Sequence, residues 1–106
     1  MNYFAHDRMG KSIPRPTLKQ MQGLLDSLLA QDFEHPDVSV QTESGWCISA
    51  FESGLVVLEN VETGEGPWHL PDQRVDQVLG LWTKLVSGDL TSVRSAPWAN
   101  GYGPNA

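Results

Sequence analysis

Cysteine is almost missing from this chain. Cys47 is the only one in 106 residues, so no internal disulfide can form and no zinc site can be assembled from thiolates. Histidine is also scarce, and His6, His35 and His69 are scattered in a way that fits no zinc-ligand spacing. No long apolar run exists. The longest, Leu55 to Leu58, falls far short of the roughly 20 residues a membrane span needs. Positive charge is outnumbered, with 7 Lys and Arg against 13 Asp and Glu and a formal net charge of −6. That balance repels a polyanion and steers a basic protein inward, so direct nucleic-acid binding is disfavoured. A phosphate loop is missing too: Gly64-Glu65-Gly66 lacks the lysine, and its glutamate would repel phosphate. Met1 to Gly10 holds no apolar stretch of signal-peptide length and already contains Asp7 and Arg8. The expected location is the cytoplasm, without membrane contact.

What is present reads as one folded domain over residues 1–106. Hydrophobic residues make up 40% and charged residues 19%, too apolar for a disordered chain. Tyr3 and Phe4 give the first residues either an edge strand or a surface position. Pro14 and Pro16 make Lys11 to Pro16 extended, and residues 1–16 together form a lead-in. Thr17 and Gln20 have the spacing of a capping box, and Leu18, Met21, Leu25 and Leu28 then recur at helical intervals, widened by Leu24 and Leu29. This predicts a helix near residues 18–31. Gly23 in its middle suggests a close neighbour there.

Three strands follow in the pattern. Val38, Val40 and Thr42 alternate with Ser39 and Gln41. Trp46, Ile48 and Ala50 then share one face, with Cys47, Ser49 and Phe51 on the other. Leu55 to Val61 forms the third strand, and Trp68-His69-Leu70 is a candidate fourth. Glycine turns between them imply an antiparallel meander. A second helix near 73–87 carries Val75, Val78, Leu79, Trp82, Leu85 and Val86, with Asp72 as its expected cap and Gly88 as its stop. Asp89 can cap one more short turn through Leu90 and Val93. Residues 96–106 read as a tail anchored by Trp98 and Tyr102. The expected fold is α+β: a small antiparallel sheet of three to five strands packed against two main helices.

Candidate chemistry is thin. His6-Asp7 is an adjacent pair, and adjacency alone makes no dyad. Cys47 needs a histidine to become a nucleophile, and His69 is the one a cleft would have to supply. No cofactor, no metal and no catalytic activity are expected. The acidic side chains Glu43, Glu62, Glu65 and Asp72 fall in turns or at element ends, and Trp68 sits in a corner stiffened by Pro67 and Pro71. An aromatic ringed by carboxylates is the composition of an interface for a cationic partner, so these five are the expected partner-binding residues. Strand-direction counting puts Glu43, Glu62 and Glu65 at one sheet end and Glu52 at the other.

Leu55 to Glu62 (LVVLENVE), Trp68-His69-Leu70, Val78-Leu79-Gly80-Leu81-Trp82, Gly88-Asp89-Leu90, Pro97-Trp98 and Gly101-Tyr102-Gly103-Pro104 together resemble the type-one immunity-protein family of bacterial polymorphic toxin systems. The likeness is clearest over residues 45–104. It implies a small α+β protein that binds a cognate toxin domain, such as a nucleic-acid deaminase, and blocks it by covering its active cleft. The competing expectations are a non-catalytic regulatory or adaptor module, and a small enzyme using Cys47 and His69.

Overall fold

Thr17 opens the first helix through the expected reciprocal contact. Its Oγ1 accepts from the Gln20 N–H at 3.1 Å, and Gln20 Oε1 accepts from the Thr17 N–H at 2.8 Å. The computed structural model describes residues 2–103; Met1 and residues 104–106, the ends of the expected lead-in and tail, lie outside them. Helix α1 spans Leu18–Asp26 and tightens into a 3-10 turn over Ser27–Leu29, so it is shorter than the expected 18–31. The cause lies outside the helix. The Arg8 guanidinium donates to the carbonyls of Ser27, Ala30 and His35 and pairs with Glu52, which pins the outgoing chain to the sheet. Met21 and Leu25 face the core. Leu18, at the first helical position, and Leu29, beyond the last α-turn, are left 59% and 82% exposed. Gly23 has no close neighbour: a Cβ there would meet nothing within 4 Å.

The sheet is antiparallel throughout and larger than expected, with seven strands instead of three to five. Its centre is the anticipated meander: β3 (Asp37–Thr42), β4 (Trp46–Phe51), β5 (Val56–Asn60) and β6 (Trp68–Leu70). The expected lead-in supplies a hairpin, β1 (Tyr3–His6) and β2 (Ser12–Pro14), with β1 paired to β3 and Ala5 fully buried. The expected tail supplies β7 (Ala99–Asn100), paired to β6. The strand order is β2-β1-β3-β4-β5-β6-β7. The added strands are too short for period two to register, and Pro14 is tolerated because β2 is an edge strand.

Helix α2 (Val75–Val86) starts two residues later than a cap at Asp72 would require. Arg74 is the N-cap, and Gln77 Oε1 accepts from its N–H at 2.8 Å. Asp72 instead turns the chain with φ 56°, a left-handed angle that aspartate tolerates better than most residues. The far end matches expectation. Gly88 has φ 88°, its N–H reaches Leu85 O, and the Asp89 N–H reaches Lys84 O, which is the pairing of a Schellman stop. Asp89 then caps α3 (Leu90–Arg94), accepting from the Ser92 N–H at 3.2 Å. Val38, Val40, Ile48, Ala50, Val56 and Leu58 of the sheet form one buried cluster with Leu25, Val78, Trp82 and Leu85 of the helices. All three helices contribute to that face, and among the described residues no helix covers the other.

Candidate functional site

Two turns meet at the end of the sheet where β3 stops and β5 stops. Glu43 belongs to the first, and Glu62 and Glu65 to the second. Val61 N–H donates to Gly45 O at 2.9 Å, and Asn60 Nδ2 donates to Ser44 O at 3.1 Å. The buried Asn60 organises the loop, since its Oδ1 also accepts from the N–H groups of Glu62 and Thr63 at 2.9 and 3.0 Å. Gly45, with φ 96°, is what permits this approach. A Cβ there would lie 2.5 Å from both Asn60 Oδ1 and Glu62 Cγ. Thr63 Oγ1 donates to Glu65 Oε1 at 3.1 Å and steadies that carboxylate. Glu43, Glu62 and Glu65 are all exposed here, at one end of the sheet.

Asp72 does not join them. Strand β6 pairs Trp68 with Leu58 and Leu70 with Val56, so it carries the chain to the opposite end. There Gln73 N–H donates to Gly54 O at 2.8 Å, beside Glu52. Closeness in sequence suggested one surface for Glu62, Glu65 and Asp72, but the length of β6 divides it. Glu52 is not available as a free carboxylate at that end, because Arg8 holds it.

Trp68 is half-buried and packs at the acidic end. Its ring stacks on Trp46 with centroids 6.3 Å apart and planes 21° from parallel. The Arg94 guanidinium lies 5.5 Å from the Trp46 ring centre and 5.4 Å from that of Trp68. Trp98 is fixed nearby through its Nε1, which donates to Val93 O at 2.7 Å. Leu58, Trp68, Arg94, Ala96, Trp98 and Asn100 line a cleft of about 220 Å³. Trp46, Arg94, Trp98 and Asn100 were not among the expected site residues. Alternation put Trp46 on the inner face, and the register Trp46↔Asn60 with Leu58↔Trp68 makes the two indoles diagonal neighbours across β5. Arg94 had no comparable signal.

Cys47 and His69 share the helix-free face but are not brought together. They sit on β4 and β6 with β5 between, roughly 10 Å apart from strand spacing alone. His69 Nδ1 is engaged with Gly101 O at 2.9 Å, and Cys47 Sγ has Ser49 Oγ at 3.9 Å. Burial pushes the Cys47 thiol up, away from the thiolate a nucleophile needs. Glu59 pairs with Cys47 in register, and the nearby Glu59 carboxylate raises the pKa of the Tyr102 phenol. Tyr102 is about half exposed, whereas the other expected anchor, Trp98, is packed against the core. Among the described residues no three His, Cys, Asp or Glu side chains are grouped to hold a metal ion. None of the helices among them is long and apolar enough to cross a membrane.

No protein-family model matches the chain, and no curated protein or solved structure matches it either.

Proposed function

We propose that this protein works by contact, as an immunity protein that binds a cognate bacterial toxin domain in the cytoplasm and neutralises it by covering its active cleft. The observation that carries this reading is the grouping of exposed Glu43, Glu62 and Glu65 beside the half-buried Trp68 on one end of a rigid sheet. A basic domain, such as one that acts on nucleic acid, meets complementary charge there, and the locked turns leave little ordering entropy to lose on docking. The separation of Cys47 from His69 weakens the enzyme alternative that relied on them. The net charge of −6 supports the same class of partner.

The test is co-expression with the protein encoded directly upstream, followed by purification of the complex and a growth assay. Immunity requires both a stable complex and relief of that protein's toxicity. A complex without relief would instead identify a regulatory or adaptor module.

A further inference from the structure

We infer that Arg94 is an anchor for a carboxylate side chain of the protein partner, held in the cleft between Trp68, Trp98 and Asn100. The inference rests on the proposed function only in making the carrier of that carboxylate a protein. The expected surface was acidic alone; this one has both signs.

The argument starts from what Arg94 touches. Its guanidinium is equidistant, within 0.1 Å, from two nearly parallel indoles, so both ring faces hold the cation by their quadrupoles. Cation–π contact uses the face of the guanidinium and leaves the in-plane N–H groups unspent. Among the described residues Arg94 has neither a carboxylate partner nor a hydrogen-bond acceptor. Arg8 is bound to Glu52 and backbone carbonyls and Arg74 to Asp76, whereas Arg15 is likewise without a carboxylate partner but faces a single ring, Tyr3, at the far edge of the sheet. Arg94 is therefore an exposed cation set against two indoles with no acceptor for its N–H groups, and it lines a mainly polar cleft together with Trp68, Trp98 and the amide of Asn100. A planar carboxylate fits the guanidinium fork with two parallel hydrogen bonds, and Asn100 can donate a third.

The neighbours explain why the occupant belongs to a protein. Trp46 follows Gly45, against which Glu62 packs, and Trp68 follows the loop that carries Glu65. A free polyanion reaching for Arg94 would be repelled by these glutamates. A protein surface that presents cations to the glutamates and one Asp or Glu to Arg94 satisfies both signs. A partner that is uniformly basic would bring a cation against Arg94, so the arginine selects among basic partners and fixes the register of docking.

The test has two arms. In the first, the intact chain is titrated with acetyl-Phe-Glu-amide while tryptophan fluorescence and the arginine Nε–H NMR signals are followed. Acetyl-Phe-Gln-amide is the neutral control, and inorganic phosphate is the competing anion. The expected result is saturable binding of the Glu peptide that moves the Arg94 signal, with the Gln peptide at least about fivefold weaker. Arg94→Gln abolishes it. Asn100→Asp, on an exposed edge strand, weakens it by repulsion and serves as the second variant should Arg94→Gln fail to fold. Equal binding of both peptides, or displacement by phosphate at equal or lower concentration, overturns the inference. In the second arm, the upstream-encoded protein is bound to wild type and to whichever of the two variants folds. Dissociation is expected to quicken about 10- to 100-fold, with association changed by no more than about threefold. An intact complex whose dissociation rate ignores both substitutions sinks the anchor and leaves the proposed function standing. A selective peptide site in a chain that binds no upstream protein does the reverse.

Discussion

The Trp82 side chain has no exposed surface and packs within the cluster that joins the helices to the sheet. It is the largest of the fully buried side chains, and its Nε1 is buried without an acceptor among the described residues. Its worth is therefore packing, not hydrogen bonding. Trp82→Ala is expected to cost roughly 3–5 kcal/mol in chemical denaturation. Trp82→Phe keeps an aromatic ring and removes an unsatisfied donor, so it should cost less than half as much; equal losses would show that the indole N–H matters. Cys47 makes a second expectation at this scale. Burial raises its pKa, so the folded state keeps the thiol protonated while the unfolded chain ionises in the ordinary range. Stability is then unaffected by this group below the ordinary thiol range and falls as pH rises from there through the raised value. Denaturation midpoints should show that alkaline loss in wild type and less of it in Cys47→Ser. Iodoacetamide at mildly alkaline pH should label the native protein at least about 100-fold more slowly than the denatured one.

At the level of elements, what can be read in advance is what is local. Thr17 and Gln20 are three residues apart and cap α1 as their chemistry requires. Gly88 and Asp89 likewise stop α2 and start α3 with bonds spanning only a few residues. Alternation over Val38 to Asn60 identified the meander. The early end of α1 is not legible in the sequence because its cause, Arg8, is 19 to 27 positions away from the carbonyls it binds. Strands β2 and β7 are not legible because three and two residues carry no period of their own, and β1, expected at Tyr3 and Phe4 as either an edge strand or a surface segment, is a strand but lies inside β2 and not at the edge. They are strands only because a paired neighbour makes them so. Asp72 is the residue type of a cap, but the turn that closes β6 onto Gly54 moves the N-cap to Arg74 and the helix start to Val75. Gly23 offers a clean check on helix energetics. It is exposed, helical and unobstructed, so Gly23→Ala should stabilise the protein by roughly 1 kcal/mol, read as a higher melting temperature. No change or a loss would indicate that α1 is frayed there.

For the whole molecule, the acidic end was foreseen in part. Strand direction alone puts Glu43 with Glu62 and Glu65, whereas the cleft beside them depends on contacts between residues 46, 68 and 94 that no short window contains. If this end meets a basic partner, Glu62→Lys with Glu65→Lys should slow association several-fold at low salt. The difference should shrink as ionic strength rises above about 0.15 M, where screening acts over about 8 Å. Stopped-flow measurement across a salt series decides it. An association rate that does not respond to the double reversal at low salt puts the docking surface elsewhere, and the same reversals at Asp72 and Glu34 are the control.

The strand order has a consequence for timing. The chain lays down β1 to β5 and most of the sheet's inner face before Trp68 is made, and Arg94, Trp98 and Asn100 come later still. Translation proceeds at roughly 5–20 residues per second, and domains fold as units from the N-terminal side. A chain ending just short of residue 94 would therefore contain the strands that carry the acidic turns, yet neither the arginine nor the far wall of the cleft. If the proposed docking holds, the anchor is the last part of the surface to be synthesised, and a message cut short would yield a product that carries the glutamates without Arg94.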